Sequence, residues 1–114
     1  MAKAEYRFAG DFNEALHLIE SSVNSLSSSL EEQSDFRSGY ARCAVRVFER
    51  YSMMGNNRVS LSVTLFTAGD GAVYISAAAT GGSQAVFFKI NTFGEESFLG
   101  VLNDALADRA ERLC

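Results

Sequence analysis

The chain has 114 residues, 47% of them apolar and 21% charged, with a formal net charge of −4. A chain of that length builds one domain, 1–114, whose core needs no metal or disulfide framework. The acidic balance disfavours general binding to nucleic acid or to anionic membranes, and no apolar run approaches the ~18–20 residues that span a bilayer.

Lys3–Ala9 alternates, with Ala4, Tyr6 and Phe8 on one side and Lys3, Glu5 and Arg7 on the other. This predicts a first strand, ended by Gly10. Asp11 then caps a helix, with Glu14 three residues on in the manner of a capping box. Phe12, Ala15, Leu16, Ile19, Val23 and Leu26 recur at spacings of three and four, so the helix is predicted over Asp11–Leu26. It fades in the serines of Ser25–Ser29, whose hydroxyls compete for backbone hydrogen bonds. Leu30–Arg37 reads as a weak strand, polar enough for a sheet edge, and Gly39 and Tyr40 bend the chain out of it.

Two strongly alternating runs follow. In Ala41–Tyr51, Cys43, Val45 and Val47 share one parity, and Arg42, Ala44, Arg46, Phe48 and Arg50 share the other. In Arg58–Thr67, Val59, Leu61, Val63 and Leu65 alternate with serine and threonine. Taking odd positions as inward in both strands forces a hairpin loop of odd length. Met53-Met54-Gly55 fits, with glycine third, where a left-handed residue is needed. The same rule joins the next strand, with Val73, Ile75, Ala77 and Ala79 inward, through Gly69-Asp70-Gly71. Thr80-Gly81-Gly82-Ser83 is a further turn, and Ala85–Ile90 reads as a last strand. A final helix, opened by Thr92 or Gly94, is predicted over about Glu95–Leu113, with Phe98, Leu99, Leu102, Leu106, Ala110 and Leu113 as its stripe.

The expected fold is therefore α+β: a two-layer sandwich in which an antiparallel meander of five or six strands carries two helices on one face. The order of elements is similar to that of the TATA-binding-protein-like fold and, less closely, to helix-grip folds. Shared fold carries no function by itself.

The chain offers no catalytic constellation. His17 is the single histidine and stands beside the helix stripe. Cys43 lies mid-strand on the side taken as core, as a small inert hydrophobe, and Cys114 is the last residue. The adjacent acids Glu31-Glu32 and Glu95-Glu96 do not converge, so no metal or cofactor site is expected. Gly81-Gly82-Ser83 precedes a strand, not a helix, and so lacks the context of a phosphate loop. The opening Met1–Arg7 has no apolar signal core, which makes the cytoplasm the default location.

Charge is unevenly spread. Five arginines (Arg37, Arg42, Arg46, Arg50, Arg58) and one acid (Glu49) give the stretch 36–66 a net +4. With odd positions inward, the open sheet face would carry Arg42, Arg46, Phe48, Arg50, Arg58, Phe66 and Tyr74. Arg50 would stand opposite Arg58, Phe48 opposite Ser60, Arg46 opposite Ser62, Arg42 opposite Phe66, and Phe66 opposite Tyr74. Arginines among exposed rings mark protein interfaces and also bind anions. The plainer alternative is that arginine stems cover apolar surface while Glu31, Glu32 or Asp35 neutralise them.

The strings RCAVRVFERYS (Arg42–Ser52), NRVSLSVT (Asn57–Thr64) and GGSQAVFFKINT (Gly81–Thr92) carry a resemblance. Through them the chain resembles a family of small uncharacterised bacterial proteins, a domain of unknown function found mainly in Gram-positive anaerobes and their relatives. The resemblance implies a bacterial, cytosolic, self-standing domain, and no activity or functional residue. The expected function is a non-enzymatic binding module that uses the open sheet face, by homo-oligomerisation or with another protein. A small anionic ligand is another guest for that face, and an enzyme is a third reading, which would need His17 or Cys43 beside an acid in a cleft. The alternative is a small-ligand carrier with a cavity between helices and sheet, for which Ala77, Ala78 and Ala79 would leave room. Single-stranded nucleic acid on a basic, aromatic sheet is disfavoured by the net charge.

Overall fold

A computed structural model describes residues 2–24, 28–52, 57–81 and 99–114. The strands are β1 (Ala2–Ala9), β2 (Ser29–Ser38), β3 (Ala41–Ser52), β4 (Asn57–Thr67), β5 (Ala72–Gly81) and β6 (Ala110–Arg112). Helix α1 spans Phe12–Asn24, and a second helix, α2, is described over 99–106. All pairings are antiparallel, and the six strands lie in the order β2-β3-β4-β5-β1-β6. The meander thus runs from β2 to β5, and β1 closes onto β5. The expected strand Ala85–Ile90 and loop Met53–Gly55 lie outside the described residues.

α1 forms where its cap and stripe place it. Asp11 Oδ2 accepts from the Glu14 amide at 3.1 Å, satisfying one of the helix's open N–H groups. Phe12, Ala15, Ile19 and Val23 are buried. The Ser21 and Ser22 hydroxyls donate back to the Leu18 carbonyl, so serines already compete for backbone acceptors on the last turns. One apolar cluster joins these residues to Leu99, Leu102 and Leu106 of α2 and to the inner side of the sheet. That inner side holds Ala4, Tyr6 and Phe8 of β1, Val59, Leu61, Val63 and Leu65 of β4, and Ile75, Ala77 and Ala79 of β5. Both helices therefore cover one face, and among the described residues no element covers the other, the open face.

The β4–β5 hairpin has the expected register, with Phe66 opposite Tyr74. Gly69 and Gly71 adopt φ of +93° and +89°, the left-handed region that glycine enters at least cost.

The β3–β4 hairpin does not. Cys43 pairs with Phe66, Arg46 with Val63 and Phe48 with Leu61, one residue away from the expected register. A one-residue slip exchanges the two faces of a strand. In β3 the even positions therefore point inward: Phe48 is 1% exposed, Arg46 4%, and Ala44 fully buried. Cys43, Val45 and Val47, all half-buried, face the open side. The physical reason is size and satisfaction. Burying one phenylalanine removes more apolar area from water than burying a valine. The charge this brings inside is neutralised. Arg46 Nε donates to Glu20 Oε2 at 2.8 Å and Nη2 to Asp35 Oδ1 at 3.0 Å. Nη1 donates to the Ser34 and Val45 carbonyls.

The C-terminal segment also departs from its helical spacing. The helix expected to reach Leu113 ends at 106, and after a turn Ala110–Arg112 forms β6 against Tyr6–Phe8 of β1. The Leu113 amide continues the ladder to the Glu5 carbonyl at 2.7 Å. Backbone groups on the outer edge of β1 find partners this way, and that demand overrides the helical spacing of Ala110 and Leu113. Ala110 still packs against the core, while Leu113 emerges, half exposed, on the open side.

Candidate functional site

The open face is built by cross-strand register. One row runs Phe36 (β2), Cys43 (β3), Phe66 (β4), Tyr74 (β5), Arg7 (β1) and Glu111 (β6). Phe36 is 66% exposed, Phe66 44% and Tyr74 43%. Directly paired side chains on one face stand ~4.5–5.5 Å apart at Cβ, so four apolar groups form a continuous bar across β2–β5. The next row is Ser34, Val45, Thr64, Ser76 and Glu5, and the next Glu32, Val47, Ser62, Ala78 and Lys3. Small side chains thus floor the face beside the aromatic bar.

Phe66 divides two shallow depressions. One, of about 240 Å³, lies among Glu5, Thr64, Tyr74, Ser76 and Leu113. The other, of about 350 Å³, lies among Phe36, Ser38, Ala41, Cys43 and their neighbours. Charged groups gather toward β1, β6 and one end of β3–β4. There Arg58 meets Glu49 at 2.6 Å, and Lys3 meets Glu5 at 3.3 Å. Glu5 also accepts from Cys114 Sγ at 3.4 Å. The Cys114 contact, followed by Lys3, holds the Glu5 carboxyl below the usual carboxylate range.

Of the seven residues placed on this face from the sequence, the register keeps Arg58, Phe66 and Tyr74 there and turns Arg42, Arg46, Phe48 and Arg50 to the helical side. Arg42 lies 4.2 Å from the Phe12 ring centre and donates to Asn13 Oδ1 at 3.0 Å. Arg50 is half-buried. Burial alone would lower the Arg46 pKa, but its bonds to Glu20 and Asp35 outweigh that and leave it raised. The plainer reading of the arginines holds for Arg46: Asp35 of the adjoining strand neutralises it, though beneath the helix. The basic, anion-binding sheet does not assemble, since only Arg58 of the four central arginines faces outward and Glu49 sits beside it.

The residues missed from the sequence are Phe36, Cys43, Val45, Val47 and Leu113. Phe36 carried one signal, a lone ring between Asp35 and Arg37 in an otherwise polar strand. Cys43 is not a core residue but sits mid-bar, half-buried between Phe36 and Phe66.

No Cys–His pair forms between Cys43 and His17. His17 is on α1, over the inner face, and Cys43 is on the outer one. Among the described residues no group of three His, Cys, Asp or Glu side chains is placed to hold a metal ion. Ala77 and Ala79 are fully buried in the core, and Ala78 faces out. No helix of the described residues is long and apolar enough to cross a membrane.

A family profile matches residues 1–110 of the chain. The chain belongs to DUF6054, a family of unknown function. Comparison with curated proteins finds no match. Membership covers every element of the fold up to the start of β6, the open face included, and carries no activity or site residue with it.

Proposed function

We propose that the protein is a non-enzymatic interaction module whose working surface is the open sheet face. The observation that carries this reading is the bar Phe36–Cys43–Phe66–Tyr74. Three large aromatic side chains stay in water on one cross-strand row, while the core elsewhere takes up comparable rings such as Phe8 and Phe48. Contiguous exposed apolar surface on a small domain marks a contact site. Aromatic residues are enriched in such contacts, and a floor of small side chains lets a partner approach closely. A protein partner fits this surface better than an anion, because the arginines that would hold an anion point the other way. The setting we infer is a bacterial cytosol, in keeping with two free thiols on one small chain.

The test is hydroxyl-radical footprinting of Phe36, Phe66 and Tyr74, read by mass spectrometry. Dilute purified protein is compared with the protein in extract of its own cells. Protection of all three rings in extract is expected. Equal modification in both would leave the face bare in its native mixture and overturn the reading.

A further inference from the structure

We propose that the open face is closed by a second copy of this chain, packed face to face about a two-fold axis that runs along the strands between β3 and β4. This rests on the reading of the open face as the contact surface, and adds the partner and its seating.

The bar is self-complementary about that axis. β3 of one copy falls over β4 of the other, and β2 over β5. Cys43 then lies beneath the partner's Phe66, and Phe36 packs on the partner's Tyr74. The depressions flanking Phe66 are where the opposing ring enters. Isologous pairs place one patch against itself in this manner. Aligned sheets stack ~10 Å apart with strand directions within about 30°. The floor of Val45, Val47, Ser62, Thr64, Ser76 and Ala78 permits that distance.

Charge follows the same symmetry. The axis carries β1 of one copy just beyond the β2 edge of the other. Lys3 is then level with Glu32 of the second copy, and Arg7 level with its Phe36, because each pair shares a row. Cations of β1 thus approach an edge strand whose outward row carries Glu32, opposite Val47.

The area suffices. Four strands ~4.8 Å apart and ~10 residues long, at ~3.3 Å per residue, cover about 600 Å² on each copy. Two such faces reach the lower end of the ~1,200–2,000 Å² that specific pairs bury. The outer edge of β2 is the rival contact. Its charged side chains and the register shift between Leu30 and Glu32 are the devices that deter edge pairing.

Sedimentation equilibrium of the full chain over a dilution series, with the alkylation rate of Cys43 read in parallel, tests this. The expected result is a dimer in which Cys43 reacts several-fold more slowly than in the diluted monomer, with exposed Cys114 as the internal standard. Phe66→Glu, at an exposed position, is expected to abolish the dimer and restore the Cys43 rate, with its fold checked by circular dichroism. A monomer at every concentration would overturn the proposal. So would a dimer indifferent to Phe66→Glu with Cys43 reacting freely. A monomer whose rings are nonetheless protected in cell extract would remove the second copy and leave the interaction module intact. Loss of both would remove both.

Discussion

Arg46 is the residue on which the two arrangements of β3 differ most. On an open sheet face it would be a solvated arginine, and truncating it would change stability by no more than about 0.5 kcal/mol. In the structure its side chain is 5% exposed, with Glu20 and Asp35 on its guanidinium. Arg46→Ala removes the buried stem and leaves two carboxylates without their cation. Breaking a buried pair costs ~3–5 kcal/mol when the remaining charge stays buried. Glu20 and Asp35 keep 33% and 51% of their side-chain surface in water, so they rehydrate in part. The expected loss is therefore about 2–3 kcal/mol, or on the order of 10 °C in Tm. Arg46→Met keeps most of the buried stem but strands the same two carboxylates, so it is expected to cost less than the alanine only by the apolar contact it restores, and to stay clearly below wild type. Urea denaturation followed by circular dichroism reads both. An Arg46→Ala midpoint equal to wild type would refute the inward placement, and with it the composition of the open face.

Phe48→Ala is expected to cost ~3–5 kcal/mol by emptying a core site, while Phe66→Ser, at a half-exposed position, costs about 1 kcal/mol in the monomer; equal losses in urea titration would contradict the face assignment. Burial raises the Tyr6 pKa. Its contribution to stability is thus fully present below the ordinary tyrosine value near 10 and is lost as pH rises through the higher folded value. Tm should fall across that alkaline window, and less steeply in Tyr6→Phe, which also gives up the hydrogen bond to Asn103. Gly69→Ala should destabilise more than Gly71→Ala. Both have positive φ, but a Cβ at 69 would come within 2.5 Å of Tyr40 Cβ and one at 71 would meet open space. Thermal unfolding of the two variants ranks them, and the reverse order would count against the packing of Tyr40 on this turn.

The parts of the fold governed by local chemistry were legible in the sequence. The Asp11 cap, the Phe12–Ala15–Ile19–Val23 stripe, the edge character of β2 and the Gly69–Gly71 turn all follow from neighbours in the chain. β3 was not, because both of its parities are plausible cores: three small apolar residues on one, a phenylalanine among arginines on the other. The choice rests on Glu20 and Asp35, which come from other elements and are invisible to periodicity. β6 was hidden for a similar reason, since Ala110 and Leu113 keep helical spacing while the free edge of β1 recruits them as a strand. The candidate site inherited the β3 error. Phe66 and Tyr74, fixed by the correct hairpin, remained on the open face, while the arginines set beside them moved beneath the helix and Phe36, Cys43 and Val45 took their place.

Cross-strand proton contacts measured by nuclear Overhauser spectroscopy read the facing of β3 directly. Contacts of Cys43 with Phe66 and of Val45 with Thr64, together with Phe48 ring contacts to α1, are the predicted result. Contacts of Arg42 with Phe66 and of Arg46 with Ser62 would place Arg46 and Phe48 in water and contradict it.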